Sequence, residues 1–253
     1  MPTQSNEIDV INMGCSKNLV DSELLARQLE LSGFKVNFDP ETPKGKIAII
    51  NTCGFIEAAK QESIDTILDM IEYQKDGKTI VVMGCLVERY LEELKESIPE
   101  VDYFIPIRNY KELHEFFQNL MLTDDLYKFS FENRILSTPN GSGYLRIGEG
   151  CSNKCAYCAI PLIRGDYVSR PFDEIIEEAK MMANDGVKEV TIIAQDTSKY
   201  GTDMKDMSLS KLLSTLAELK LFKWIRVLYM YPDEITDDLL KTIKNSKRIL
   251  PYF

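Results

Sequence analysis

Histidine is almost missing from this sequence, and so are the signals of secretion and membrane insertion. The 253 residues include one tryptophan and one histidine, His114, which we expect to have a structural role. The longest apolar runs have only the length of a strand, so no membrane-spanning helix is predicted. The amino terminus has no basic start followed by an apolar segment, so nothing marks the chain for secretion. We therefore expect a cytoplasmic protein with no membrane partner.

Cysteine is the metal-binding residue that the chain does contain. In the reducing cytoplasm, six cysteines are more typical of metal ligands or catalysts than of disulfides. Three of them, Cys151, Cys155 and Cys158, lie on one short loop at spacings of four and three residues. A tetrahedral zinc would need a fourth cysteine or histidine nearby, and the sequence has none there. The loop therefore suits one iron–sulfur cube with an open iron; the alternatives are a zinc knuckle, a disulfide with a spare thiol, or chance.

Strand and helix patterns alternate through residues 1–122, which we interpret as the first domain. Short runs rich in β-branched residues predict strands over 8–13, 34–38, 46–51, 79–83 and 101–105. Helical patterns occupy 21–31, 57–73, 88–97 and 110–121. This order predicts an α/β domain with an open parallel sheet.

Cys15, Cys53 and Cys85 have equivalent positions in this pattern, each just past the carboxyl end of a predicted strand. The carboxyl ends of parallel strands face one crevice, where ligands bind. The three thiols are therefore predicted to converge and to hold a second cluster, again with an open iron. The alternative is that they are small buried hydrophobic residues, as many single cysteines are. This interpretation uses all six cysteines as two sets of three.

Turn-forming residues interrupt the pattern over 123–143, which we interpret as a linker. The second domain, 144–253, has predicted strands at 144–147, 187–194 and 224–229 and helices at 174–183, 208–219 and 236–244, the first helix capped by Asp173. These units predict part of a parallel (βα) barrel, whose chemistry lies at the carboxyl ends of its strands. The chain stops as another strand begins at 248–253, so we expect a fragment with an incomplete barrel.

Acidic residues outnumber basic ones by 40 to 30, for a formal charge of −10. An acidic surface repels phosphate backbones and attracts basic proteins, so nucleic acid is not expected to be the primary partner; the alternative is that the acidity only confers solubility. The acid-rich run over 88–96 is interpreted as a solvated helix face.

The cysteine loop resembles that of the radical S-adenosylmethionine (SAM) enzymes, including Tyr157 just before the last cysteine. With its amino-terminal three-cysteine domain, nearly the whole chain resembles the methylthiotransferases of that superfamily. The segment Gly14-Cys15-Ser16-Lys17-Asn18-Leu19-Val20-Asp21-Ser22-Glu23 is similar to the branch that modifies a ribosomal protein. The transfer-RNA branch usually has Gln-Met-Asn after that cysteine. The family's remaining barrel strands and its carboxyl-terminal TRAM domain are absent from these 253 residues.

The resemblance implies an enzyme that attaches a methylthio group to the β-carbon of an aspartate in small-subunit ribosomal protein twelve. It also implies two 4Fe-4S clusters and SAM as cofactors, and an electron donor such as a flavodoxin or ferredoxin. One cluster, which splits SAM, would be held by Cys151, Cys155 and Cys158. The auxiliary cluster, which carries the sulfur, would be held by Cys15, Cys53 and Cys85.

Several other polar residues are expected near SAM. Gln195 and Asp196 follow the strand after the cluster loop and are expected to meet the methionine or ribose end of SAM; the alternative is that they form a structural turn. Tyr157 is expected to lie against the adenine. We expect Arg164 to steady a carboxylate or to pair with Asp166, and Arg170 to be either a similar cation or a surface charge.

Two other functions are compatible with the same residues. One is a transfer-RNA methylthiotransferase, which differs in substrate only. The other is a non-catalytic iron–sulfur or zinc module that uses the cysteines for stability or electron transfer.

Overall fold

A computed structural model describes residues 6–108, 115, 118, 134–139 and 141–252 of the protein. The chain divides into two compact units, Met1–Ser130 and Phe131–Phe253. His114 and most of the helix predicted over 110–121 lie outside the described residues. Over the part of the chain that is described, no helix is long and apolar enough to cross a membrane.

The first unit is built on a five-stranded sheet in which all strands are parallel, as predicted. The strands are β1 (Glu7–Asn12), β2 (Lys35–Phe38), β3 (Ile47–Thr52), β4 (Thr79–Gly84) and β5 (Tyr103–Pro106). Their order across the sheet is β2-β1-β3-β4-β5. Ile49 and Ile50 of β3 are fully buried, and so are Val81 and Val82 of β4. Burial of each such side chain stabilises the fold by about 1.5–3 kcal/mol. Continuous β-branched runs are therefore favoured in the central strands, which are covered on both faces.

The helices of the first unit begin closer to the strands than the sequence pattern indicated. They are α1 (Ser16–Leu31), α2 (Glu57–Ile71) and α3 (Cys85–Ser97). The predicted starts of α1 at residue 21 and of α3 at residue 88 were wrong. Cys15 has an extended backbone and is itself the N-cap of α1, and Cys85 is the first residue of α3. Both cysteines therefore lie at helix amino termini and not in the middle of longer turns.

The second unit has a three-stranded parallel sheet in the order β10-β9-β6. Its strands are β6 (Ser142–Arg146), β9 (Glu189–Ile193) and β10 (Trp224–Val227). A parallel bridge from Ile225 to Ile249 extends the sheet beyond β10, where the sequence predicted a further strand. Each βα unit thus adds a strand to the same edge, which is the progression of a barrel and confirms the predicted fold class.

Helices α5 (Phe172–Asn184), α6 (Leu209–Glu218) and α7 (Asp237–Asn245) pack their apolar faces on this second sheet. Ser208 caps α6 and Thr236 caps α7, since each side-chain oxygen accepts a hydrogen bond from a backbone N–H three residues on. The predicted cap of α5 was wrong. Pro171 has the N-cap position there, and Asp173 lies in the first turn.

Two short elements that the sequence pattern did not indicate enclose the cysteine loop. Helix α4 (Ile160–Arg164) follows the loop directly, and strands β7 (Gly148–Glu149) and β8 (Val168–Ser169) pair in an antiparallel hairpin. Both elements are too short to show a hydrophobic period, so they leave no pattern in the sequence.

A buried charge cluster links α5 to the start of the second unit. Glu178, which is fully buried, accepts hydrogen bonds at 2.6 Å from Arg134 on one carboxylate oxygen and from Arg170 on the other. Arg170 also donates to the backbone carbonyl of Arg146. Arg170 is therefore not a surface charge, and it does not lie free for a cofactor. It helps to fix β6, the strand that leads into the cysteine loop.

We predict that Glu178→Gln lowers the free energy of unfolding by about 3–5 kcal/mol, because it leaves two buried guanidinium groups without their shared carboxylate. Urea denaturation measures this change. The matched control is Glu177→Gln, since Glu177 is half exposed and pairs only with Lys180 on the surface; its effect is expected to stay within about 0.5 kcal/mol. Equal destabilisation by the two substitutions would contradict the assignment.

Candidate metal centres

The cysteines of the first unit follow three neighbouring strands of the sheet. Cys15 follows β1, Cys53 follows β3 directly, and Cys85 follows β4 directly. The register pairs Asn12 with Asn51 and Thr52 with Gly84, so the three strands end at the same level. The sheet therefore delivers all three thiols to one stretch of its carboxyl edge.

Two glycines let the three cysteine segments touch. A side chain on Gly14, whose φ is +94°, would have its Cβ 2.6 Å from the Cβ of Cys53. A Cβ on Gly54 would lie 2.8 Å from the carbonyl oxygen of Cys85. Real Cβ atoms do not approach so closely, so glycine at these two positions is what allows the first segment to meet the second and the second to meet the third.

Asn18, in the first turn of α1, ties the same three segments together by hydrogen bonds. Its Nδ2 donates to the carbonyl oxygens of Met13 and Thr52, at 3.1 and 2.9 Å. Its Oδ1 faces the thiols of Cys15 and Cys85, at 3.9 and 3.5 Å from their Sγ atoms. One fully buried amide therefore contacts the ends of β1 and β3 and two of the three sulfur atoms.

The three thiols differ in access to solvent. Cys53 and Cys85 are each 7% exposed, whereas Cys15 is exposed, and no disulfide joins any of the six cysteines. Cys15 and Cys85 also lie at the amino termini of α1 and α3, where the helix dipole favours negative charge. The site thus opens to solvent on the side of Cys15, with the positive ends of two helices directed toward it.

The second set of cysteines lies on the loop between β7 and α4. The N–H of Cys151 donates to the carbonyl of Gly165 at 3.0 Å, and the N–H of Cys158 donates to the carbonyl of Cys155 at 3.0 Å. Lys154 has a φ of +50°, which turns the chain sharply between the first two cysteines. Burial raises the pKa of the Cys151 thiol, and the nearby charges of Asp196, Cys158 and Cys155 raise it further. Cys155 and Cys158 are therefore close enough to Cys151 to influence the charge of its thiol.

Asp196 connects this loop to the carboxyl end of β9. Its carboxylate is 2% exposed and accepts a hydrogen bond at 2.6 Å from Nδ2 of Asn153, which lies inside the cysteine loop. The other carboxylate oxygen accepts a bond from the backbone N–H of Ser198 at 3.1 Å. Asp196 therefore positions the loop, a role that the sequence did not indicate.

Gln195 lies beside Asp196 and is held by Glu149. Its Nε2 donates to the Glu149 carboxylate at 2.5 Å, while its Oε1 is buried and has no hydrogen-bond partner among the described residues. Glu149 also receives the guanidinium groups of Arg146 and Arg164, at 3.0 and 3.4 Å. Arg164 was expected to contact either a carboxylate or Asp166. The structure pairs it with the carboxylate of Glu149.

Tyr157 belongs to the cysteine loop, and Lys199 lies close to it. Tyr157 is 91% exposed, so its ring is open to a ligand but is not held by the described residues. Lys199, in a short 3-10 turn after β9, donates to Glu234, and this bond raises the pKa of its ammonium group. The charges of Asp196 and Cys151 also raise the pKa of Lys199. Lys199 is therefore a cation close to the cysteine loop.

The donor atoms present fit an iron–sulfur cluster, because cysteine thiolates are the ligands that such clusters take. Within the described ranges, no three Cys, His, Asp or Glu side chains are placed to hold one metal ion between them. A cube makes a different demand, because each of its three thiolates binds a different iron. The six cysteines supply the sulfur donors that such clusters prefer, in two sets of three.

Sequence reasoning missed Asn18, Glu149 and Asn153 as residues that hold the two sites. Asn18 could have been found from the sequence. It is three residues after Cys15, and in a helix that starts at Ser16 residues three apart lie on the same face. For Glu149 and Asn153, the only signal in the sequence was their position next to or within the cysteine loop.

Two family models match the two units. Residues 7–106 match the uncharacterized protein family UPF0004, and residues 145–252 match the radical SAM superfamily.

Close relatives share one name. Those from Clostridioides difficile (strain 630) and Aquifex aeolicus (strain VF5), each named ribosomal protein uS12 methylthiotransferase RimO, are 48% and 46% identical over 98% of this chain. The chain covers 58% and 55% of those two proteins, so it spans little more than half the length of the curated relatives it matches.

Solved structures with the same fold are also radical SAM enzymes. The methyltransferase TsrM from Kitasatospora setae has a TM-score of 0.70 at 12% identity, with 97% of this chain and 58% of TsrM covered. The cobalamin-dependent enzyme OxsB has a TM-score of 0.59 at 12% identity, with 94% of this chain and 41% of OxsB covered. At such low identity these structures support the fold alone. Residues 145–252 thus match the radical SAM superfamily, and nearly the whole chain is similar to relatives that are each named ribosomal protein uS12 methylthiotransferase RimO.

Proposed function

We propose that the protein is a radical SAM methylthiotransferase that attaches a methylthio group to the β-carbon of an aspartate in small-subunit ribosomal protein twelve. The observation that carries this proposal is the meeting of Cys15, Cys53 and Cys85 at one edge of the first sheet. A radical SAM enzyme that only cleaves SAM needs one cysteine trio. A second trio, built from three separate strands, supports an additional sulfur-transfer function.

The cysteines of both units would act as thiolate ligands of two 4Fe-4S clusters. Cys151, Cys155 and Cys158 would hold the cluster to which SAM binds, and Cys15, Cys53 and Cys85 would hold the auxiliary one. When bound, these groups and SAM supply the electron, the radical chemistry and the sulfur that an unactivated carbon requires. The hydrogen on that carbon is too weakly acidic for a side-chain base of ordinary pKa to remove it as a proton.

Residues around the cysteine loop of the second unit would bind and orient SAM. The buried Oε1 of Gln195 is an acceptor without a partner among the described residues, and it suits the amino group or a ribose hydroxyl of SAM. Glu149 fixes the amide of Gln195 from the other side, so this acceptor has a defined direction. Asp196 acts through Asn153 and holds the loop itself. Tyr157, which is exposed, would lie against the adenine.

Residues of the first unit would keep the auxiliary site assembled. The two close glycine contacts leave no room for side chains between the cysteine segments, so the sulfurs stay grouped. The carbonyl oxygens of Met13 and Thr52 can only accept hydrogen bonds, so they fix which end of the Asn18 amide faces the sulfurs. Such outer contacts orient metal ligands and set their affinity.

The proposed substrate agrees with the charge of the chain. A formal charge of −10 favours a basic protein partner over a phosphate backbone. Action on a ribosomal protein implies a cytoplasmic location, and the reaction requires an electron donor, for which a flavodoxin or ferredoxin is suited.

We predict that anaerobic reconstitution loads about eight irons per chain, as two cubes require. Replacing Cys15, Cys53 and Cys85 by alanine, or replacing Cys151, Cys155 and Cys158, should in each case leave about four. Iron, sulfide and zinc are measured by elemental and colorimetric analysis. Zinc without sulfide would contradict the proposal and would support a structural zinc module.

We predict that Asn18→Ala impairs loading of the auxiliary site, because it frees two sulfurs and two strand ends from one anchor. The test is made in a chain whose Cys151, Cys155 and Cys158 are alanine, so that only the auxiliary site binds iron. Iron affinity should fall about 10–100-fold, the usual effect of losing an outer-shell contact.

The matched control is Asn37→Ala in the same background. Asn37 is also a hydrogen-bonded asparagine of the first unit, but its partners Glu7 and Asp9 lie on β1, away from the cysteines. The two variants should unfold at similar denaturant concentrations while differing in iron content. Equal iron in both would show that Asn18 has no positioning role.

We predict that the reconstituted enzyme, given SAM and a reductant, forms a methylthio product on the ribosomal protein and not on an adenosine-modified transfer RNA. Both substrates are offered together and the products are identified by mass spectrometry. Product on the RNA alone would overturn the substrate assignment.

A further inference from the structure

A groove of about 400 Å³ runs between α2 and α3 on the first unit. Six apolar side chains from both helices line it: Ile64, Leu68, Leu86, Tyr90, Leu94 and Ile98. Lys60, Glu93 and Ser97 complete the lining, and Lys60 is paired with Glu57 at 3.0 Å. Leu86, Leu94 and Ile98 are buried at its base, whereas Leu68 is 49% exposed. An apolar surface of this kind is suited to receiving side chains from another molecule.

One side of the groove is formed by α3, the helix that begins at Cys85. Leu86, which lines one end, directly follows Cys85, and Ile98 lines the other end just past α3. Twelve residues separate the two, which in a helix is a distance of about 18 Å. A bound segment of about three helical turns, or about five extended residues, would fill this length.

Acidic residues are concentrated on the two helices that form the groove. Helix α2 has four acidic residues and one basic residue, and α3 has four acidic and two basic, so their 28 residues carry a net charge of −5. This is half of the −10 of the whole chain. Glu62, Asp69, Glu93 and Glu96 form no ion pair with any described residue. Their charges therefore remain available to a partner.

We propose that this groove binds a lysine- and arginine-rich segment of the protein substrate, a proposal that rests on the function proposed above. Apolar side chains of the segment would pack on Leu68 and Leu94, in the manner of an amphipathic helix in a groove. Its cations would be attracted by Glu93 in the groove and by the net negative charge of α2 and α3, which speeds association. The acid-rich run over 88–96 is then more than a solvated face, because Tyr90, Glu93 and Leu94 line the groove.

Charge separates this occupant from the other candidates. A phosphate backbone would be repelled by a net charge of −5 on the groove helices. A second copy of this chain would bring the same acidic surface against itself, which is also unfavourable. A basic protein segment is the partner that both the apolar base and the acidic sides suit.

The test is the equilibrium binding of purified small-subunit ribosomal protein twelve to the full chain, measured by fluorescence anisotropy. Leu68→Glu puts a charge into the apolar groove at an exposed position, so folding should be retained. We expect the Kd to rise about tenfold or more, which corresponds to about 1.4 kcal/mol. The matched control is Leu240→Glu on α7, since Leu240 is 44% exposed and belongs to the other unit. Its Kd should match that of the unaltered protein.

Glu93→Lys is the second variant and keeps the apolar side chains in place. It should weaken binding several-fold and make the Kd less sensitive to salt, because one favourable charge pair becomes unfavourable. An unchanged Kd in both Leu68→Glu and Glu93→Lys would overturn the groove proposal. So would a self-association of the protein that Leu68→Glu abolishes, because the occupant would then be a second copy.

The outcome is separable from that of the proposed function. Methylthio product on the ribosomal protein without any effect of the groove variants on its Kd would overturn the docking site alone. Groove-dependent binding without methylthio product would support the docking site while removing the reaction proposed for it.

Discussion

The amide of Asn18 is the contact on which the first site depends. A parallel sheet places the carboxyl ends of its strands at one edge, which brings distant cysteines near each other but does not fix their sulfurs. The carbonyls of Met13 and Thr52 hold the amide nitrogen, so the amide oxygen must face the thiols of Cys15 and Cys85. The hydrogen bonds by which Asn18 links the carboxyl ends of β1 and β3 are thus the same bonds that orient the amide toward two of the three sulfurs.

The two units gather three thiols in opposite ways. In the second unit the cysteines are close in sequence, and the difficulty is to order a short irregular loop. Asp196 and Glu149, which are anchored to the sheet, serve that purpose. In the first unit the cysteines are 38 and 32 residues apart, and only the folded sheet brings them together. Loss of packing around β3 would therefore disperse the first trio, whereas the second would stay close along the chain.

The sequence was sufficient for the elements with a strong period and for the positions of the cysteines. The sequence predicted the central strands β3 and β4 because strands buried on both faces appear as continuous β-branched runs. The alternation of strands and helices predicted that the sheet is parallel. The starts of α1 and α3 were not. Gly-Cys pairs are typical of turns, and the contacts that make the following residues helical, such as those of Asn18, come from other strands.

Side-chain partners were harder to predict than elements. Arg170 could not be placed from the sequence, because its position depends on Glu178, eight residues away on a helix, and on Arg134, which shares that carboxylate from 44 residues away. No periodic pattern joins such residues. Glu149 is similar, since its role arises only when β9 brings Gln195 beside it.

Helix α3 carries a cysteine of the first site and also forms one side of the groove, and this has a consequence for how a substrate would be used. Cys85 is its first residue, Leu86 begins the groove, and the helix is interrupted at Tyr90, whose φ and ψ are −132° and 31°. The ring of Tyr90 lies 4.9 Å from both Lys60 of α2 and the guanidinium of Arg89. A segment bound in the groove would therefore contact the same helix that presents a metal ligand. Under the proposed function, binding energy gained along the groove would hold the substrate on the unit that carries the auxiliary cysteines, which is how remote contacts favour a difficult chemical step.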